Sequence, residues 1–425
     1  MGIEPLRLVV SAQQCRMPFR QTHGVAFKTL TPHTLLEVNV VRFNANGDEE
    51  AVPAYDAYNH HYALTMKGAN ASKDDSVEKI LPLGDSGPSV LLSSAGLGDS
   101  LLDSQWFSEG NGNEHRLSFH GYPQGFAQVI YSPDRMVNFF HLINTRGGGG
   151  RGGPGSSLLP RNSQATLGAR YCGLIECPCT DRRHIDPAAG TIDGKLAGLN
   201  CRGELIAQNN TSCSLATYRG GLRCCEDGVV LLDSDQQQPP GSDTFFLKMR
   251  FWYEPEPLPH VTAASFNLVR LFWATDLANG EYDIPVCAPR SASPCVHVLK
   301  TDFTVDDMCR LYGCGPGYDP ARGLRLIYSG GHLHVGGLSL ELINADTGEL
   351  LCSNAPQYGS SDAATDEDGY VVAIPPCLWS TDDPRLPDPP RLKAGTRLVS
   401  IAKYTSKPAG HLGAMAFWQM RATYF

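Results

Sequence analysis

Two histidines stand one residue apart in GGHLHVGG, residues 330–337, between pairs of glycines. On an extended strand residues i and i+2 share a face, so the imidazoles of His332 and His334 can converge on one point. Neutral imidazole is the commonest protein metal ligand, and metal ligation is the first chemistry this spacing offers. The plainer alternative is an alternating strand with two exposed histidines. Other candidate ligands lie elsewhere: His60 and His61 in YNHHYAL, His141 after the aromatic run MVNFF, and Met415 in GAMAFW. Adjacent residues on a regular strand face opposite ways, so His60 and His61 can ligate together only at a strand end or a bulge. Taken singly, an HH pair reads as surface, His141 as a half-buried hydrogen-bonded side chain, and Met415 as packing.

In chain order the candidates give three nitrogens in the first half, then two nitrogens and a thioether in the second. Imidazole with thioether suits copper cycling between Cu(I) and Cu(II), because the soft sulfur favours Cu(I). Two such one-electron centres could supply the two electrons needed to insert one atom of O2 and reduce the other to water. Other motifs carry less. GDSG at 84–87 resembles the nucleophile segment of chymotrypsin-like proteases, but it comes early and no AAHC block precedes it, so Ser86 reads as a loop residue. TRGGGGRGGPGSS at 145–157 lacks the lysine of a phosphate-binding loop.

The elements that must position these ligands are strands. Helical periodicity is scarce, while runs such as TLLEVNVVRF (34–43), GFAQVIYS (125–132), TFFLKMRFWYE (244–254) and GLSLELINA (337–345) recur between Gly, Pro, Asn and Asp. Short strands at this spacing predict antiparallel sandwiches. The Pro-rich, polar stretch SDQQQPPGSD (234–243) reads as a linker. It divides the 425 residues into a first β-sandwich domain over 1–235, with a Cys-rich extension over about 146–235, and a second over 242–425. SSDAATDEDG (360–369) reads as an acidic surface loop.

A formal charge of -9, from 44 acidic against 35 basic residues, argues against nucleic acid as a partner. No apolar run approaches the 18 or so residues of a membrane-spanning helix. Fourteen cysteines, clustered at irregular spacing, predict disulfides formed in an oxidising compartment over a zinc site at Cys172, Cys177 and Cys179. Sequons at Asn70, Asn209 and Asn210 point the same way, to a secreted or secretory-lumen protein. The apolar core of a signal peptide does not follow Met1, so the secretory expectation rests on cysteines and sequons.

Seven blocks occur in order: AVPAYDAYNHHYAL, FHGYPQGFAQVIYSP, FFHLINTRG, CGLIECPC, YRGGLRCCEDG, GGHLHVGG and GHLGAMAFW. Together they resemble the plant stress up-regulated nodulin (SURNod) proteins. Those are distant relatives of the copper type II, ascorbate-dependent monooxygenases, which include peptidylglycine hydroxylase and dopamine hydroxylase. The resemblance implies an all-β chain of two antiparallel, jelly-roll-like sandwiches with two coppers facing each other across a cleft. It assigns His60, His61 and His141 to the electron-transfer copper, with His120 of FHGYPQG as a rival third ligand. It assigns His332, His334 and Met415 to the copper that activates O2, and implies ascorbate or another one-electron reductant with a small organic substrate. The peptide-amidating relatives have an arginine two residues before HxH and a tyrosine four residues after the methionine, which grip a substrate carboxylate. Here those positions are Gly330 and Gln419, so a peptide C-terminus is not the expected substrate. The other reading on the same fold is a non-catalytic secreted protein that binds metal or a partner.

Overall fold

A computed structural model describes residues 6–10, 15–16, 24–27, 36–54, 57–71, 104–109, 122, 126–131, 133–144, 183–186, 191–196, 244–251, 254–256, 267–268, 270–274, 281–284, 295–312, 318–334, 336–359, 370–405 and 411–424. The expected linker, the GDSG and glycine-rich segments, the acidic loop, His120, Asn209, Asn210 and the clustered cysteines from Cys172 to Cys225 lie outside these residues. The described chain is nearly all strand, as the recurring β-branched and aromatic runs predict.

Two sheets enclose the core of the second half. One runs in the order Val296–Thr304, Arg397–Thr405, Gly337–Asn344, Glu349–Asn354, all antiparallel. The other is centred on the 14-residue strand His411–Tyr424. This strand pairs with Leu324–Leu333 on one side and with Arg270–Ala274 and Glu281–Ile284 on the other. Period-2 alternation decides what is buried between them. Leu299, Phe303, Leu340, Leu342, Leu398, Ala402 and Tyr404 come from the first sheet, and Ala414, Ala416, Trp418, Met420 and Ala422 from the second. A short helix, Val305–Tyr312, follows Val296–Thr304 directly. Thr304 caps it, its Oγ1 accepting from the Asp307 amide while the Asp307 carboxylate accepts from the Thr304 amide.

In the first half, Leu6–Val10, Phe246–Phe251, Leu36–Phe43 and Glu49–Ala51 form one antiparallel sheet, and Cys15–Arg16, Pro133–Asn144, Ala57–Gly68 and Ser104–Glu109 form another. Val38, Val40, Leu64, Met66, Phe107, Met136, Leu247, Met249 and Phe251 fill the space between. Strand pairing crosses the expected linker in both directions. Phe246–Phe251 lies between Leu6–Val10 and Leu36–Phe43, and Arg183–Asp186 runs parallel to Glu281–Ile284.

Cys352 and Cys377 form a disulfide across 25 residues, and Cys295 and Cys309 are also disulfide-bonded. Asn70 lies in an exposed turn. No helix among the described residues is long and apolar enough to cross a membrane.

Candidate metal centre

The strand Leu324–Leu333 changes face partway along. Leu324 and Leu326 point into the second-half core, and simple alternation would send His332 after them. The register with His411–Tyr424 slips between Leu326 and Tyr328, leaving Ile327 as one extra residue. A bulge of this kind inverts the face of everything beyond it. Leu333 therefore joins the core, Ile327 and Tyr328 pack into the first-half core, and His332 lies on the same side as Tyr328.

On that face the two imidazoles meet. The His332 and His334 ring centres are 5.1 Å apart with planes at 73°. His332 pairs in register with Phe417 and stacks on its ring at 4.3 Å and 15°. Two residues before Phe417, Met415 shares the face and stays partly exposed. A metal about 2 Å from a ring nitrogen lies roughly 3 Å from that ring's centre, so two imidazoles on one ion at a tetrahedral angle have centres about 5 Å apart. The observed spacing fits such a pair, and the donor set of two imidazoles and a thioether on one face is the one copper accepts in both oxidation states.

Both histidines are buried, His332 at 0% and His334 at 7% exposure. They do not decorate an exposed strand. The His332 ring stacks on Phe417, a member of the second-half core.

Beyond Leu333 the strand ends, and two tyrosines anchor His334, Gly336 and Gly337. The His334 amide donates to the Tyr404 hydroxyl at 2.8 Å, and that hydroxyl donates to the Met415 carbonyl. Burial pushes the Tyr404 phenol well above its ordinary range, so it stays protonated and able to donate. Tyr358 receives the Gly336 amide and donates to the Gly337 carbonyl. Gly336 adopts φ 91°, a left-handed conformation that a glycine reaches without strain. Tyr404 carries no motif signal, although its place on the inward face of RLVSIAKYT marks a buried hydroxyl that requires a partner.

Gly330 and Gln419 are direct partners across the two strands. A Cβ at Gly330 would come within 2.8 Å of the Tyr328 hydroxyl, so the Tyr328 side chain fills the space a larger residue would need. Farther along the face, the Arg421 guanidinium lies 4.2 Å above the Tyr328 ring and 5.6 Å from that of Tyr122, which comes from the first half. Behind the strand, Gly331 makes room for Asn354 and Leu340, either of which would be 2.9 Å from a Cβ there.

The first-half candidates also sit at a bulge. Asn59 pairs with Leu142 and His61 with His141, so consecutive residues on one strand face residues two apart on the other. His60 is the extra residue, and positions 60 and 61 together oppose position 141. This is the backbone irregularity that joint use of an HH pair requires. Among the described residues no group of three or more His, Cys, Asp or Glu side chains is gathered for a metal.

No curated protein matches the chain. Among solved structures, one described as the structure of infectious bursal disease virus Gx strain is similar at 10% identity, covering 99% of this chain and 73% of that one, with a TM-score of 0.14. The family model for Stress up-regulated Nod 19 matches residues 274–423, the segment that holds the bulged HxH strand, Tyr404 and Met415. Over that segment the chain is similar to the stress up-regulated Nod 19 family.

Proposed function

We propose that the chain is a copper-dependent, monooxygenase-like protein with two mononuclear sites, hydroxylating a small organic substrate with O2 and ascorbate or another one-electron reductant. One observation carries the reading: a pair of buried imidazoles 5.1 Å apart on the same sheet face as Met415. When bound, copper would supply one-electron chemistry toward O2. His332, His334 and Met415 would hold one ion, and His60, His61 and His141 the other.

The chain's own residues set the conditions. Phe417 packs flat against His332 and keeps water from that side of the ring. Met415 is the partly exposed member of the set, so the approach for substrate lies on its side. Gly330 and Gln419 offer no bidentate cation for a carboxylate, so a peptide C-terminus is not the substrate favoured here. The disulfides at Cys295, Cys309, Cys352 and Cys377 support an oxidising, secretory setting.

The complete burial of His332 favours a second reading, a closed metal-binding site without turnover, since catalytic sites keep a position open. Oxygen uptake driven by ascorbate, measured on copper-loaded protein from an oxidising host, separates the two. Sustained uptake above that of free copper supports the enzyme; copper bound without uptake supports the closed site.

A further inference from the structure

We infer that Tyr404 is the positioning residue of the second-half site, a single hydroxyl that locks the ligand-bearing end of the HxH strand to the Met415 segment. The inference rests on the metal-site reading above for its purpose, but its geometry stands independently. His334 lies one residue past the end of its strand, where the ladder to His411–Tyr424 no longer holds its amide. Tyr404 takes over there. It comes from the opposite sheet, on Arg397–Thr405, and reaches through the core to accept from the His334 amide and donate to the Met415 carbonyl. Two ligands from two strands are thus tied through one oxygen atom. Because Tyr404 is itself fully buried, its ring has no freedom to release them.

This arrangement has a chemical use. Cu(I) and Cu(II) prefer different coordination, and a site that cycles between them works best when its ligands cannot follow each preference separately. Groups that orient ligands without touching the metal commonly change its affinity by roughly 10–100-fold when removed. Tyr404 does this through backbone atoms, which explains why no polar side chain near His334 announces it in the sequence.

Tyr404→Phe in the full-length protein tests the proposal with a readout that needs no metal. Amide hydrogen exchange at His334 should be slow in the wild type, comparable to the neighbouring strand, and at least tenfold faster in the variant. Cu(I) affinity, measured by competition with a chromophoric Cu(I) chelator, should fall about 10–100-fold at one site and stay unchanged at the other. Unaltered exchange at His334 in the variant overturns the proposal, as does a His334 amide already unprotected in the wild type, which settles the question even if Tyr404→Phe does not fold. Accelerated exchange with unchanged Cu(I) affinity overturns the positioning role for the metal. If His332→Phe leaves copper stoichiometry at the wild-type value, the copper reading fails by itself, while the exchange data still decide whether Tyr404 holds the strand end.

Discussion

His332 is a residue with two obligations. Its ring is both a candidate ligand and a fully buried slab against Phe417, so the two roles need different substitutions to separate them. His332→Ala should cost about 2–4 kcal/mol in denaturant unfolding, in the range of large-to-small core changes, because it empties a packed position. His332→Phe keeps the stack and removes the nitrogens, and should lower copper content with a smaller loss of stability. Equal stability for the two variants would show that the stack contributes nothing. Gly331 makes a complementary point. An alanine there would press on Asn354 and Leu340, so Gly331→Ala should destabilise by about 1–3 kcal/mol. The glycines beside HxH were legible in the sequence as sites of close approach, but which neighbour approaches is decided only by the fold.

At the scale of elements, a register shift accompanies each strand that carries candidate histidines. Alternation alone predicts that His332 and His334 share a face, and this holds. It cannot say which face, because Ile327 inverts the parity between Leu326 and Tyr328 and no single residue type signals such a slip. The HH pair was more informative: side-by-side histidines are useful together only at an irregularity, and a register shift lies there. Deletion of Ile327 should restore even register, drive His332 toward the leucine core and abolish soluble folded protein. Ile327→Val should cost only about 0.5–1.5 kcal/mol. Comparable yields from both would refute the bulge as the device that sets the face.

Strand Val296–Thr304 carries a pH dependence of its own. His297 pairs with Tyr404 across the sheet and is buried, and desolvation lowers its pKa below the ordinary 6.5. The unfolded chain therefore binds a proton at this site before the folded one does. Stability from this residue is complete above about pH 6.5 and declines as pH falls from there toward the lowered folded value. Melting temperature should drop between pH 7.5 and 5.5, and His297→Leu should flatten that slope. A variant with the wild-type slope would assign the pH dependence to other groups.

Over the whole molecule, the all-strand character and antiparallel sandwiches were readable from short apolar runs between turn residues. The partition was less so. Phe246–Phe251 follows the Pro-rich stretch yet completes a first-half sheet, because pairing partners are chosen by long-range burial that local composition does not encode. The Cys352–Cys377 bridge likewise joins two cysteines outside the obvious clusters. Closing 25 residues, it should contribute about 3 kcal/mol, read as the loss in unfolding free energy of Cys352→Ala/Cys377→Ala.

On the proposed two-site reading, His60, His61 and His141 would hold one copper and His332, His334 and Met415 the other. The decisive quantity is copper per chain in the wild type, His332→Phe and His61→Ala, each purified folded from an oxidising host and loaded identically. Two coppers are expected for the wild type and one for each variant, with both lost when the substitutions are combined. Copper content that is the same in all of these proteins would contradict the two-site reading.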